Sequence, residues 1–214
     1  MMRVLILVTM IFMFNPYKAI SQVRDGNLFF NEIGVSLNRT MLENDNTLNR
    51  NGYGVVVYRT LTSSNKFNIV FGLSYDKTSQ FKKEVYDGHF SSISDVVFEI
   101  HNFSVPFNCR FSIGSKLYVE TGVFTDVIMS AQKKGHYLTS VPNEDIREYE
   151  VTESLQLFSP NYGFSIGVAM RIPITDSYGL TIKPDFKVGL RNLSASQESI
   201  NNRYFRLLFL FDTN

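Results

Sequence analysis

The chain has 214 residues, of which 44% are apolar and 19% charged, and 21 Lys and Arg against 20 Asp and Glu leave a formal charge of +1. That balance excludes a disordered chain and offers no basic surface for general nucleic-acid binding. A single cysteine excludes an intrachain disulfide framework and a Cys-rich zinc module. The 19 Phe and 11 Tyr, with no Trp, favour strands over helices.

The N-terminus begins Met1-Met2-Arg3, continues through the apolar run Val4 to Phe14, and reaches Ala19-Ile20-Ser21. A basic start, a short apolar segment and a small-x-small ending predict a secretory signal peptide over residues 1–21. Ala19 and Ser21 take the −3 and −1 positions. As a helix the 11-residue run would rise about 16 Å, half of the ~30 Å hydrocarbon core, so a spanning anchor is excluded. The mature part is expected to be a barrel domain over residues 22–214, in an extracytoplasmic compartment. Cys109 is far from the cleavage site, which excludes lipid attachment there. Beyond residue 14 no apolar stretch reaches the length of about 18 residues that a transmembrane helix needs.

Apolar residues then recur at every second position. Ile33, Val35 and Leu37 open the pattern against Glu32, Gly34, Ser36 and Asn38. Phe67, Ile69, Phe71, Leu73 and Tyr75 face away from Asn68, Val70, Gly72, Ser74 and Asp76. Tyr162, Phe164, Ile166, Val168, Met170 and Ile172 do the same, as do Leu180, Ile182, Pro184, Phe186, Val188 and Leu190. Period 2 is the signature of a strand with one apolar face. Applied throughout, it predicts eight strands near 28–40, 52–62, 66–77, 97–112, 116–130, 156–173, 178–191 and 202–212. Pro106 predicts a local break within the fourth.

Short connections (Thr62–Asn65, Ile113–Ser115, Ile174–Ser177) alternate with long ones at 41–51, 78–96, 131–155 and 192–201. Small turns on one side of a membrane and large loops on the other produce this alternation. A soluble sandwich or lipocalin-like binding protein would also alternate its faces. Three features favour the membrane. The segments run mostly 11 to 18 residues, against about 5–6 for an average strand. The polar faces carry small residues (Gly34, Ser36, Gly72, Ser74, Gly163 to Ala169), as the narrow inside of an eight-stranded barrel requires. Phe29, Phe30, Tyr53, Tyr75, Tyr118, Tyr162, Tyr178 and Tyr204 gather at segment ends like interfacial girdles. The expected fold is all-β: an eight-stranded antiparallel up-and-down transmembrane β-barrel of the bacterial outer membrane.

In that barrel Glu32, Asn38, Asn68, Glu120, Lys183, Asp185, Lys187, Arg191 and Arg206 would face the lumen. Buried charges need partners, and both signs are present. A plugged interior of interlocking ion pairs is therefore expected rather than a selective pore.

Ser104-Val105-Pro106-Phe107-Asn108-Cys109-Arg110-Phe111, followed by Lys116-Leu117-Tyr118-Val119-Glu120-Thr121-Gly122, resembles the PorT-like outer-membrane β-barrel family of Bacteroidota-type bacteria. Ser104 stands where that family usually has Glu. Gly189-Leu190-Arg191-Asn192-Leu193-Ser194 and the final Asn202 to Phe211 resemble its last two strands. The end also resembles a C-terminal assembly signal, with Tyr204, Phe209 and Phe211 as its apolar residues. The resemblance implies an outer-membrane protein of a Gram-negative host, with some relatives linked to protein secretion, and it transfers no functional residue.

The expected role is structural or partner-binding, accessory to protein secretion or envelope assembly. The partners would be outer-membrane lipid and other envelope or secretion proteins reached through the long loops, with no nucleic acid and no cofactor. The alternative is a barrel enzyme acting on lipid. His89-Phe90-Ser91, with Glu84, Asp87 or Asp95 to orient the imidazole, is its candidate constellation, although His-x-Ser is common in ordinary loops. His89, His101 and His136 lack metal-ligand spacing. Lys133-Lys134 reads as a solvated or headgroup-contacting pair, and Cys109 as a small lipid-facing residue. Glu144, Asp145, Glu148, Glu150 and Glu153, with Arg147, read as a solvated acidic loop, with the holding of divalent cations as the alternative. No catalytic, cofactor-binding or metal residue is assigned, and the chain is not expected to be an enzyme.

Overall fold

A computed structural model describes residues 29–41, 47–62, 66–86, 91–139, 147–157, 159–175, 178–193 and 200–213. The signal segment 1–21 lies outside the described residues. Ten strands form one antiparallel sheet: β1 (Glu32–Thr40), β2 (Thr47–Asn49), β3 (Asn51–Thr62), β4 (Phe67–Tyr86), β5 (Ser91–Ser112), β6 (Leu117–Thr139), β7 (Arg147–Ser154), β8 (Asn161–Pro173), β9 (Tyr178–Asn192) and β10 (Asn201–Thr213). Eight of them close a ring in the order β1-β3-β4-β5-β6-β8-β9-β10. The seam is the β1–β10 ladder, from Glu32↔Asp212 to Thr40↔Tyr204. The expected eight-stranded up-and-down barrel is thus observed.

The two remaining strands lengthen their neighbours. β2 pairs β4 above the rows held by β3, and β7 pairs β6 above the rows held by β8. With β4, β5 and β6 at 20, 22 and 23 residues, one half of the barrel rises as a tall wall. β1, β9 and β10, at 9, 15 and 13 residues, leave the other half low. The links 78–96 and 131–155 are therefore largely strand, which corrects the loops expected there. The inward face of these stretches mixes polar Thr78 and Gln80 with apolar Ile93, Val96 and Ala131, and the register shifts between Ser94 and Val97 and between His101 and Asn102. The period-2 signal fades accordingly.

Pro106 does not break β5. Its pairing with Phe124 of β6 persists, while beside it the ladder to β4 lapses between Phe71↔Phe107 and Ser74↔Ser104. A proline lacks the N–H for one ladder and leaves the other intact. Pro184 does the same in β9: it pairs Leu207 of β10, and the ladder to β8 lapses between Gly167↔Asp185 and Met170↔Ile182.

Burial runs inside out. Ile33, Val35, Leu37, Phe164, Ile166 and Val168 lie on the exposed outer face, while Glu32, Asp76, Glu120, Lys183, Lys187 and Arg206 are buried within. A lipocalin-like protein would show the reverse, so the soluble alternative is overturned. Tyr53, Tyr162 and Tyr178 are exposed at the ends of the band as expected, but Tyr118 and Tyr204 point into the lumen and are buried. An apolar cluster of Val56, Tyr58, Val70, Leu208 and Leu210 fills part of the interior. Small residues beside it are obligatory: a Cβ on Gly72 would lie 2.6 Å from Tyr58 Cδ1, and one on Gly34 2.8 Å from Leu210 Cδ2.

Candidate functional site

Strand alternation aims the charged residues of six strands at one another. Arg110 of β5 reaches across the barrel to Glu32 of β1 through two bonds, Nη1–Oε1 at 2.7 Å and Nη2–Oε2 at 3.0 Å. Its Nε donates to Glu120 of β6 at 3.0 Å. Glu120 also accepts from Lys183 Nζ at 2.6 Å and from Asn108 Nδ2 at 2.9 Å. Lys183 comes within 3.8 Å of Asp185, which opens a second knot.

There Arg206 of β10 grips Asp185 in a fork, at 2.8 and 2.6 Å, and turns Nη1 to Asp76 of β4 at 3.2 Å. Asp76 further accepts from Tyr204 and Asn38, each at 3.1 Å. Lys187 completes the lattice: its Nζ lies 3.1 Å from Asp126 and 3.6 Å from Asp76, and donates to Ser104 Oγ at 2.6 Å. Ser104 in turn donates to Asp126. Aromatic faces line the remaining sides of the cations, with Lys187 4.2 Å from the Phe124 centroid and Arg110 4.6 Å from that of Tyr118.

This is the plugged interior expected from the sequence. Fork geometry and several acceptors per cation are what offset the desolvation of buried charges. Of the residues expected to face the lumen, Glu32, Asn38, Glu120, Lys183, Asp185, Lys187 and Arg206 are buried in this network. Asn68 lines the mouth at the short-turn end. Arg191 is a correction: it sits at the rim, where Nη1 donates to the Pro160 carbonyl at 3.2 Å. Asp76, Arg110, Asp126 and Tyr204 are central members that the sequence reading did not select, although alternation from Asn68 already placed Asp76 on the inward face.

Each end of the lattice is differently finished. At the short-turn end a recess of about 430 Å³ is lined by Glu32, Thr60, Arg110, Tyr118, Arg171 and Asp212. Arg171 holds Asp212 at 2.5 Å. At the tall end lies an apolar cap: Ile93, Val96, Phe98, Ile100 and Ala131 from the wall pack with Leu193 and Ile200 from beyond β9 and before β10.

The wall also carries an outward ion triad above the apolar band. Glu99 accepts from Lys77 at 2.9 Å and from Lys134 at 3.0 Å. Hydrogen bonds from the two ammonium groups hold the Glu99 carboxyl below its usual range, and the bond to Glu99 raises Lys77. Just below, Tyr75 Oη meets His101 Nδ1 at 2.6 Å. Lys133 pairs with Glu153 at 3.4 Å, so Lys133 and Lys134 are strand residues with carboxylate partners rather than a loop pair.

His89 and Asp87 lie outside the described residues, as do Glu144 and Asp145. Glu84 and Asp95 are exposed, Asp95 at φ 51° in the bulge of β5. The described residues assemble no nucleophile–base pair from the proposed constellation, and none of them form a group of three or more His, Cys, Asp or Glu arranged for a metal. Glu148, Glu150 and Glu153 are exposed along β7, a strand and not a loop. Cys109 is a half-buried free thiol between Phe107 and Phe111 on the lipid-facing side.

A closed ring of antiparallel strands, apolar outside and ion-paired inside, defines a membrane-spanning β-barrel of the bacterial outer membrane. Solved structures of that class align with this chain. They include Ail of Yersinia pestis with a heparin analogue (10% identity, 86% of this chain and 95% of that one, TM-score 0.39). Neisserial surface protein A aligns at 10% identity over 85% and 95% of the two chains, with a TM-score of 0.37. A major outer-membrane protein of Thermus thermophilus aligns at 11% over 86% and 98%, with a TM-score of 0.42. The assignment rests on this chain's own ring of pairings and its burial, not on these scores. No family model matches the chain, and no curated protein matches it.

Proposed function

We propose that this barrel is an envelope-anchored, partner-binding protein, accessory to protein secretion or envelope assembly, and not a pore or an enzyme. One observation carries the reading: the lumen is filled by an ion lattice and capped, while β4, β5 and β6 rise past the lipid band as a polar wall. A sealed barrel anchors, and a projecting polar surface is where a partner is met. The resemblance of the Ser104 to Phe111 and Lys116 to Gly122 stretches to the PorT-like family supports the secretion-linked form of this reading.

A photo-crosslinking residue placed at Gln132 or Glu150, both exposed on the wall, tests it in native membranes. Discrete adducts with an envelope protein are expected from these positions, and lipid adducts from Val168 in the apolar band. Lipid or no adducts at all three positions would overturn the proposal.

A further inference from the structure

Between the ion lattice and the apolar cap the interior is lined by short polar side chains. Asn38 of β1, Thr78 of β4, Asn102 of β5, Asn161 of β8 and Asn202 of β10 all point inward, and none is more than 3% exposed. The register makes them one belt. Asp76, next but one to Thr78, pairs with Asn102. Asp126 pairs with Asn161 and accepts from Asn202 Nδ2 at 2.9 Å. Asn38 donates to Asp76. Gly189 of β9 backs onto Asn161, whose Nδ2 would lie 2.6 Å from an added Cβ.

Several polar atoms of this belt find no hydrogen-bond partner among the described residues. They are Asn38 Oδ1, Thr78 Oγ1, Asn202 Oδ1 and both side-chain atoms of Asn102 and of Asn161. The contrast with the lattice a few ångströms below, where nearly every donor and acceptor is matched, is sharp. A buried polar group left unmatched keeps the full cost of its desolvation. Two amides unmatched on both atoms, beside three further residues with one unmatched oxygen each, form a concentration that native interiors resolve by an occupant.

The pattern selects the chemistry of that occupant. A metal ion would satisfy the oxygens and leave the amide N–H groups of Asn102 and Asn161 stranded, and an anion would do the opposite. Because both atoms of each amide are unmatched, exchanging N and O in either side chain changes nothing. Only a group that both donates and accepts meets the whole set. We propose that the belt is an internal binding site for hydroxyl-bearing molecules, held between the lattice and the cap. Two sources share this chemistry: long-lived internal water, and the hydroxyls of a small neutral sugar.

Proton NMR on the refolded barrel in detergent micelles, with the asparagine amides labelled, tests the site directly. Cross-relaxation from bound hydroxyl protons to the Asn102 and Asn161 side-chain N–H groups is expected. If it comes from water and persists when glucose is added at millimolar concentration, the occupant is water. If glucose removes the water signal and shifts those amides, the site takes a sugar. Amides with neither water nor glucose cross-relaxation would overturn the proposal. The Asn102→Leu/Asn161→Leu variant provides a second reading, because it removes two unmatched amides from a dry belt but two partners from an occupied one. Its thermal midpoint is expected to fall, and a rise would also overturn the proposal. Should the variant fail to fold, the wild-type spectrum still decides.

Discussion

Arg206 shows what a single side chain does in this interior. It forks onto Asp185 and bridges to Asp76, so deleting it strips two buried carboxylates of a cation. Arg206→Met is expected to cost about 3–5 kcal/mol, because an uncompensated buried charge is worse than none. Asp185→Leu combined with Arg206→Met should recover much of that loss, since Asp76 keeps Tyr204, Asn38 and Lys187. Urea unfolding in detergent reads both, and a double variant as unstable as the single one would contradict the ion-pair account. At this scale Lys183, Asp185 and Lys187 were legible, since alternation against Ile182, Pro184 and Phe186 leaves them no other face. Tyr118 and Tyr204 were not. Tyrosine suits a girdle as well as a lumen, and only register against Glu120 and Arg206 separates the two. Arg191 obeys the inward parity but stands at the rim, where the strand is ending and parity no longer implies burial.

Adjacent strands are tied together above the membrane by the triad of Lys77 on β4, Glu99 on β5 and Lys134 on β6. Because Glu99 binds its proton more weakly in the folded wall than in the unfolded chain, the triad's stabilisation is present above the ordinary carboxylate range. It is lost as pH falls through the depressed Glu99 value. Lys77 works in the opposite sense: its share is complete below the ordinary lysine value and vanishes as pH rises through the elevated one. A part-exposed network of this kind is worth about 0.2–1 kcal/mol. The thermal midpoints of wild type and Glu99→Gln should therefore differ most near neutral pH and converge toward acid. A constant gap across the range would remove the electrostatic explanation. With a continuous apolar face, β9 was read from sequence to within one residue at each end, and β8 to its last residue, although its start falls at Asn161 and not at 156. The upper rows of β4, β5 and β6 were not, because above the lipid their inward face mixes polar and apolar residues and the bulge at Asp95 resets the alternation.

In the proposed function, lattice and cap together leave no continuous path for ions through the barrel. Refolded into planar bilayers, the protein should add no stepwise conductance, and stable ohmic steps would contradict the sealed lumen. The eight-stranded ring followed from counting alternating segments and the short turns between them. Sealing did not, because it depends on Leu193 and Ile200 meeting Phe98 and Ile100 from remote parts of the chain.

The β1–β10 seam adds an order of events. Asp76 lies on β4, yet its guanidinium and phenol partners, Arg206 and Tyr204, arrive on the last strand, 130 and 128 residues later. Glu32 of the first strand waits in the same way for Arg110, 78 residues on. Until the terminal strands meet, these carboxylates keep their hydration, and a half-curled sheet has reason to stay wet. Dehydration of the interior and closure of the ring are therefore expected to coincide, and a chain truncated before β10 is expected to remain an open, charged sheet.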